Sequence, residues 1–250
     1  MSRYKLTIEY DGTGLAGWQY QDNGLSVQEI LESAAKKLSG IKTKIIGAAR
    51  TDAGVHAIGQ VAHVDFDKNW DPNRIRDGMN FWLLKDGASV SILTVDLVTD
   101  NFHARFSAIE RRYLYRIVDR QSFPALKHQF VFWTRHKMNI ENMHNSAQLL
   151  IGSHDFSTFR ASECQAKSPI KTLDRLDVIR VNDEIHIIAC ARSFLHHQVR
   201  NIVGTLCLVG WGKWTNADVL QALMARDRSK GGATITSKGL YLTSVVYHQS

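Results

Sequence analysis

The segment that most constrains the fold is a glycine- and alanine-rich stretch, Gly47–Gln60, between two apolar runs. A short apolar run, Lys44–Ile46, precedes it, and an alternating apolar and polar run, Gln60–Asp67, follows it. Because alternation of this kind is typical of a half-buried β-strand, the stretch is predicted to connect two strands. Its small residues let another molecule approach the backbone, and its glycines permit left-handed conformations.

Four polar or charged side chains lie in this small-residue loop, namely Arg50, Thr51, Asp52 and His56. A carboxylate beside a fixed cation in such a loop is a candidate nucleophile or base. The alternative is a turn in which Asp52 caps local backbone amides, as aspartate often does. The loop by itself leaves both interpretations open.

The order of strand and helix patterns predicts the fold class. The first half reads strand, helix, strand, strand, helix, strand, and a looser version of this order returns after Tyr113. This predicts an α+β protein with two similar α/β lobes that share a central mixed, mostly antiparallel sheet. We expect the lobes at 1–108 and 109–250, within a single continuous catalytic unit. A basic cleft between them, rimmed by lysine and arginine, would suit an extended acidic ligand.

The charge balance points to a polyanionic partner. The chain has 31 Lys and Arg residues against 24 Asp and Glu residues, which gives a net charge of +7. Cations clustered on a surface release counterions from phosphates, so nucleic acid is a natural partner for such a chain.

The cysteines and the absence of long apolar runs indicate the compartment. Cys164, Cys190 and Cys207 are widely spaced and form no CxxC pair, which argues against a zinc site and a disulfide framework. The last two lie in apolar runs and are predicted to be buried thiols. We see no signal peptide and no stretch long enough to span a bilayer, so we expect a reducing, cytoplasmic setting and no membrane.

Three glycines, Gly12, Gly14 and Gly17, formally match a dinucleotide-binding fingerprint. That fingerprint needs its last glycine at the start of a helix. Here a loop follows, and the next helix begins near Ser26 with a predicted Ser26–Glu29 capping box. A nucleotide-dependent oxidoreductase would rest on these glycines alone, and we reject it. The loop is predicted instead to form a small-residue platform beside Asp52.

Several motifs occur in order along the chain, namely Glu9–Gly12 with Gly17–Gln19, Arg50–His56, Phe102–Ala108 with Arg111–Tyr113, Asp155–Phe159, and Phe194–Gly204. Together they resemble one known family, the tRNA pseudouridine synthase A family, and the resemblance runs from about Tyr4 to Tyr247. Ala49 is one departure, because the family usually has glycine there.

The resemblance implies the pseudouridine synthase fold and the isomerisation of uridine to pseudouridine. The family's usual targets are positions 38, 39 and 40 in the anticodon stem-loop of tRNA. It implies no cofactor, no metal and a homodimer. Asp52 matches the family's catalytic aspartate, Tyr113 its active-site tyrosine and Arg200 its active-site basic residue.

The chemistry suggests a role for each of these three side chains. Asp52 would act as the nucleophile, and Arg200 would pair with it and fix its orientation. The alternative for Arg200 is a helix-surface cation that contacts solvent or phosphate. Tyr113 would stack on the uracil and assist removal of the C5 proton. Its alternative is a strand aromatic packed in the core.

Six further residues are candidate RNA contacts. Arg50 would fill the gap left by an extruded base or hold a phosphate, or else stabilise a turn. For His56 we prefer a role in orienting the loop over a contact with RNA. The remaining four are plausible phosphate contacts and equally plausible solvated surface: Arg111, Arg112, Arg160 and Lys167. The competing function is a non-catalytic tRNA-binding protein or RNA chaperone, motivated by the basic charge.

Overall fold

The computed structural model describes residues 1–22 and 24–248, in which eleven strands and five α-helices are found. The chain divides into two compact units, the first formed by Met1–Arg111 with Tyr241–Ser250 and the second by Arg112–Leu240. In chain order the elements are β1 (Ser2–Tyr10), α1 (Val27–Ser39), β2 (Ile45–Gly47), β3 (His56–Phe66), α2 (Pro72–Lys85), β4 (Val90–Val98), β5 (Ala108–Asp119), β6 (Phe132–Thr134), α3 (Ile140–Gln148), β7 (Gly152–Asp155), β8 (Ile170–Leu173), β9 (Arg175–Val181), β10 (Glu184–Ala191), α4 (Gln198–Gly210), α5 (Asn216–Ala225) and β11 (Leu240–Tyr247).

The first unit is built on strands in the order β4–β1–β3–β11, and β2 also pairs with β3. The pairs β1–β3, β1–β4 and β2–β3 are antiparallel, whereas β11 runs parallel to β3. Tyr4, Leu6 and Ile8 alternate along β1 and are fully buried. The alternation of apolar and polar residues in β1 therefore buries one face of the strand in the core.

Local capping signals set both helices of the first unit. The Ser26 side chain accepts a hydrogen bond from the Glu29 amide at the start of α1, and Gly40 ends this helix in the left-handed conformation. The Asp71 side chain caps the start of α2, where Pro72 occupies the first turn. The start at Ser26 is the predicted one, and Asp71 followed by Pro72 is likewise a sequence signal for a helix start.

The second unit contains the strand order β5–β10–β9, with β6 parallel to β5. Strands β9 and β10 form the antiparallel hairpin that the turn-forming pair Asn182 and Asp183 predicts. Asn182 has a positive φ of 55°. Strands β7 and β8 make a separate two-stranded sheet. In the described part of the chain, no helix is both long enough and apolar enough to cross a membrane.

The α+β class and the mixed, mostly antiparallel sheet are confirmed. Both cysteines predicted to be buried, Cys190 and Cys207, are buried free thiols. The domain division differs from the expected one, because β11 belongs to the first unit rather than to a C-terminal lobe. Its parallel pairing with β3 explains this placement.

Several element boundaries differ from the predicted ones, and three of them have a clear local reason. Strand β3 begins at His56, not Gln60, because His56 already pairs with β11. The apolar pattern predicts a helix from Leu195, but α4 begins at Gln198 because His197 adopts a left-handed conformation with φ of 60°. The sequence also predicts a helix over Ile140–Ile151, but α3 ends at Gln148, where its last turn tightens.

Two buried titratable groups make the fold sensitive to acid. His63 is 3% exposed and accepts the Ala104 amide at 3.2 Å through Nδ1. Burial, with Arg3 nearby, lowers the pKa of His63 to about 4 from 6.5. Burial alone would raise the pKa of Glu184, but hydrogen bonds from Arg116, Lys127 and His186 outweigh it and lower that pKa to about 2.

We expect the free energy of unfolding to fall as the pH drops from 6.5 to 4, because the unfolded chain then protonates His63 while the folded chain does not. The loss from this residue is about 3 kcal/mol. Glu184 extends the decline below pH 4.5, where only the unfolded state takes up its proton. Denaturant titrations from pH 8 to pH 4 measure this. His63→Gln should flatten the upper part of the curve, and a wild-type curve already flat there would contradict the assignment.

Candidate active site

The loop between β2 and β3 presents its side chains in alternation. Thr51 is buried, Asp52 is partly exposed and Arg50 is exposed. The Val55 amide donates to the Asp52 carbonyl at 3.1 Å, which closes a turn after the aspartate. The loop therefore anchors itself through Thr51 and directs Arg50 and Asp52 away from the core.

Two of the three glycines of the rejected fingerprint, Gly12 and Gly17, form the predicted platform. The Trp18 amide donates to the Thr51 carbonyl at 3.0 Å. A Cβ at Gly17 would lie 2.5 Å from the Thr51 carbonyl oxygen, and one at Gly12 would lie 2.1 Å from the Val55 carbonyl oxygen. These contacts need glycine because no side chain fits between the two backbones. The small-residue platform beside Asp52 is confirmed.

Two polar contacts that we did not predict lie under the loop. The Tyr10 hydroxyl is 2.8 Å from the Thr51 hydroxyl. The Gln60 side-chain amide donates to the Ala49 carbonyl at 2.8 Å and accepts the Ala49 amide at 3.2 Å. Gln60 stands in an alternating apolar and polar run, so its residue type alone did not signal this role.

His56 lies at the start of β3 and is only 2% exposed. Its Nδ1 atom is 3.1 Å from the Gly12 amide nitrogen and 3.0 Å from an Asp11 carboxylate oxygen. Its ring stacks on Tyr241 with the ring centroids 4.8 Å apart. These contacts support the loop-orienting role that the sequence favoured for His56.

Arg111 is buried, with 8% exposure. Its guanidinium donates to the Ala48 carbonyl at 3.0 Å, the Arg105 carbonyl at 2.6 Å and the Ala108 carbonyl at 3.4 Å. It thereby connects the entrance of the Asp52 loop to the segment Phe102–Ala108. This placement favours a structural role over a phosphate contact.

In the second unit, Tyr113 and Arg200 belong to elements that meet at one segment. The Tyr113 ring lies edge-on to Phe194, with the centroids 5.1 Å apart and the rings at 87°. Two residues farther along β5, the Tyr115 hydroxyl donates to the Thr236 carbonyl at 2.8 Å. Arg200 Nε donates to the neighbouring Ile235 carbonyl, also at 2.8 Å. The backbone at 235–236 therefore joins β5 to α4.

Asn201 and Gly204 lie in the motif that carries Arg200, but the sequence assigned them no role. Asn201 is fully buried, donates to the Phe159 carbonyl at 2.9 Å and accepts from the Thr234 hydroxyl at 2.6 Å. A Cβ at Gly204 would lie 1.9 Å from the Ala233 carbonyl oxygen. These contacts join the Asp155–Phe159 motif and the 233–236 segment to α4.

The other predicted RNA contacts lie at the surface. Arg50 of the first unit is exposed, as are Arg112 and Lys167 of the second, and Arg160 is partly exposed. Arg112 and the buried Arg111 are neighbours in β5, so their side chains point to opposite faces of the strand.

Comparison with known proteins identifies the family. A family model described as tRNA pseudouridine synthase matches residues 6–107 and 146–248. The tRNA pseudouridine synthase A of Paramagnetospirillum magneticum is 55% identical over 250 residues, which cover 100% of this chain and 97% of that protein. The enzymes of the same name from Bartonella tribocorum and Agrobacterium fabrum are 53% and 50% identical over 247 residues, 99% of this chain and 100% and 93% of those proteins.

Among solved structures, a Cbf5-Nop10-Gar1 complex matches with 10% identity and a TM-score of 0.36, over 82% of this chain and 45% of that one. This structural similarity is too weak to support the assignment, which depends on the sequence matches. The family model covers the Asp52 loop and the Arg200 helix, and the full-length relatives also span β5 with Tyr113. The chain therefore belongs to the tRNA pseudouridine synthase family.

Proposed function

We propose that the protein isomerises uridine to pseudouridine at positions 38, 39 and 40 in the anticodon stem-loop of tRNA. Family membership supports the reaction class, an isomerase that acts on tRNA. The observation that carries the proposal is the partly exposed Asp52 in a loop whose backbone is held on both sides. A fixed carboxylate in a small-residue loop suits attack on a bulky nucleoside.

The reaction moves the glycosidic bond of uridine from N1 to C5 of the base. The N1–C1′ bond breaks, the uracil turns, and the C5–C1′ bond forms. C5 then loses its proton and N1 gains one, so the atoms balance without a cofactor or an added reactant. Asp52 supplies the nucleophilic oxygen that forms and then releases the covalent intermediate.

Arg200 is proposed to pair with the Asp52 carboxylate. Its Nε already binds the Ile235 carbonyl, which fixes the plane of the guanidinium. A guanidinium has five N–H donors in one plane. When Nε is already bound, the two terminal nitrogens can still donate hydrogen bonds to a carboxylate. The pairing would fix the rotamer of Asp52.

Tyr113 is proposed to stack on the uracil and to assist removal of the C5 proton. Its edge-on contact with Phe194 limits the positions that the ring can take. A ring held in this way presents its face to a base at low entropic cost, and stacking on an aromatic side chain contributes about 1–3 kcal/mol per base.

The target uridine must leave its stack to reach a carboxylate, which costs a few kcal/mol. Contacts with the tRNA backbone offset this cost, and the net charge of +7 favours them. Arg50, Arg112, Arg160 and Lys167 are the proposed phosphate contacts. The protein is further proposed to act as a homodimer in the cytoplasm.

Tritium release from tRNA labelled at C5 of uridine tests this function. We expect release in step with pseudouridine formation, with repeated turnover and no added cofactor. A non-catalytic tRNA-binding protein or chaperone would bind the same tRNA and release no tritium. Binding without release would therefore overturn the isomerase proposal and favour the alternative.

A further inference from the structure

We propose that Tyr10, Thr51 and Gln60 form a positioning network, here called the loop clamp, that holds Asp52 in its reactive orientation. This inference rests on the proposed nucleophilic role of Asp52. None of the three side chains was assigned a role from the sequence, and all of them are buried. All three lie in the first unit.

Gln60 ends the β2–β3 ladder in an unusual way. Backbone pairing runs through Gly47 opposite Ala62, and the Ala48 amide then donates to the Val61 carbonyl at 2.7 Å. At the next position, the Gln60 side chain replaces the backbone and binds both the amide and the carbonyl of Ala49. The loop can therefore leave the sheet after Ala49 without leaving a buried backbone amide or carbonyl without a hydrogen-bond partner.

Tyr10 holds the loop on the other side of Arg50. Its hydroxyl is 2.8 Å from the Thr51 hydroxyl and lies near the Gln60 side chain. Tyr10 is 4% exposed and Thr51 is 8% exposed. Burial raises the pKa of Tyr10, so the phenol stays neutral and keeps its proton for this network.

The clamp fixes the backbone immediately before the aspartate. Gln60 binds the backbone of Ala49, and Tyr10 binds the Thr51 side chain. The Trp18 amide donates to the Thr51 carbonyl. The freedom left to Asp52 is largely that of its own two side-chain torsions. Because a misplacement of about 1 Å can cost a hundredfold in rate, such anchoring matters more for turnover than for tRNA binding.

The alternative is that the loop clamp is a buried polar network that contributes only to stability. The chain offers a matched control that separates this alternative from a positioning role. Tyr4 lies on the same strand and the same buried face as Tyr10. Its hydroxyl contacts Asn69 Oδ1 at 3.1 Å and the Trp70 carbonyl at 2.9 Å, and it accepts the Trp70 amide at 2.7 Å. Tyr4→Phe therefore removes at least as many hydrogen bonds as Tyr10→Phe, but far from Asp52.

The test compares steady-state kinetics on tRNA with thermal unfolding for both variants. Tyr10→Phe is expected to lower kcat at least about tenfold while KM changes less than about twofold. Tyr4→Phe should lower the melting temperature at least as much and leave kcat unchanged. Thr51→Val should behave like Tyr10→Phe, and Thr51→Ser, which keeps the hydroxyl, should restore most of kcat.

The inference is overturned if Tyr10→Phe and Tyr4→Phe change kcat equally, or if Thr51→Ser is as slow as Thr51→Val. Asp52→Asn, assayed in parallel, separates this failure from failure of the proposed function. If Asp52→Asn is inactive while Tyr10→Phe is unimpaired, the loop clamp is wrong but the proposed function stands. If Asp52→Asn is active, both the nucleophilic role of Asp52 and the loop clamp are wrong.

Discussion

Asp52→Asn is expected to abolish pseudouridine formation, with turnover reduced by at least about 10⁴-fold, as removal of a catalytic group typically does. Asparagine matches aspartate in size and still forms hydrogen bonds, so the loop should keep its conformation. It lacks the anionic oxygen that attacks the nucleoside. Single-turnover assays with enzyme in excess over tRNA measure the effect on chemistry, and tRNA affinity should change less than about threefold.

A surface carboxylate of the same unit provides the control for charge. Asp96 lies on β4, where it pairs with Lys5 at 3.0 Å and is half exposed. Asp96→Asn changes the net charge by the same amount as Asp52→Asn and should leave turnover unaltered. Comparable turnover in the two variants would show that the carboxylate at position 52 is not the nucleophile.

Arg200→Ala is expected to lower kcat by about 10²- to 10³-fold, the size of the loss when an oriented electrostatic partner is removed. Single-turnover assays with enzyme in excess over tRNA measure this loss. Arg200→Lys should recover little of the loss. A lysine ammonium cannot bind the Ile235 carbonyl and hold a carboxylate in the same plane as a guanidinium does.

The matched control for Arg200 is Arg175, an exposed arginine on β9 of the same unit. Arg175→Ala removes one positive charge and should leave both kcat and the affinity for tRNA unchanged. If Arg200→Ala gives the same kcat as Arg175→Ala, the proposed pairing with Asp52 is wrong. A weaker affinity for tRNA without a loss of kcat would instead indicate a contact with phosphate.

Elements specified by local signals could be predicted from the sequence. Alternation and capping residues, visible within a few positions, predict strands over Val90–Val98, Glu184–Ala191 and Leu240–Tyr247 and a helix near Asn216–Ala225. The structure has β4, β10, β11 and α5 at these bounds. The start of α4 could not be predicted in this way. It depends on the left-handed backbone of His197, and a histidine carries no sequence signal that demands that conformation.

The sequence was enough to predict the candidate reactive side chains of the site, but not the residues that hold them in place. Asp52 could be singled out because a charged residue in a glycine- and alanine-rich loop is conspicuous. Gln60 looked like an ordinary strand residue, since its role depends on where the β2–β3 ladder stops. Arg111 resembled a phosphate contact because the carbonyls that bury its charge belong to other segments of the chain.

The most direct test of the central claim is to map pseudouridines in unmodified tRNA after incubation with the purified protein. The account predicts new pseudouridine at positions 38, 39 and 40 with the wild-type protein and none with Asp52→Asn. Equal modification by the Asp52→Asn variant, or no modification in the anticodon stem-loop by the wild type, would contradict it.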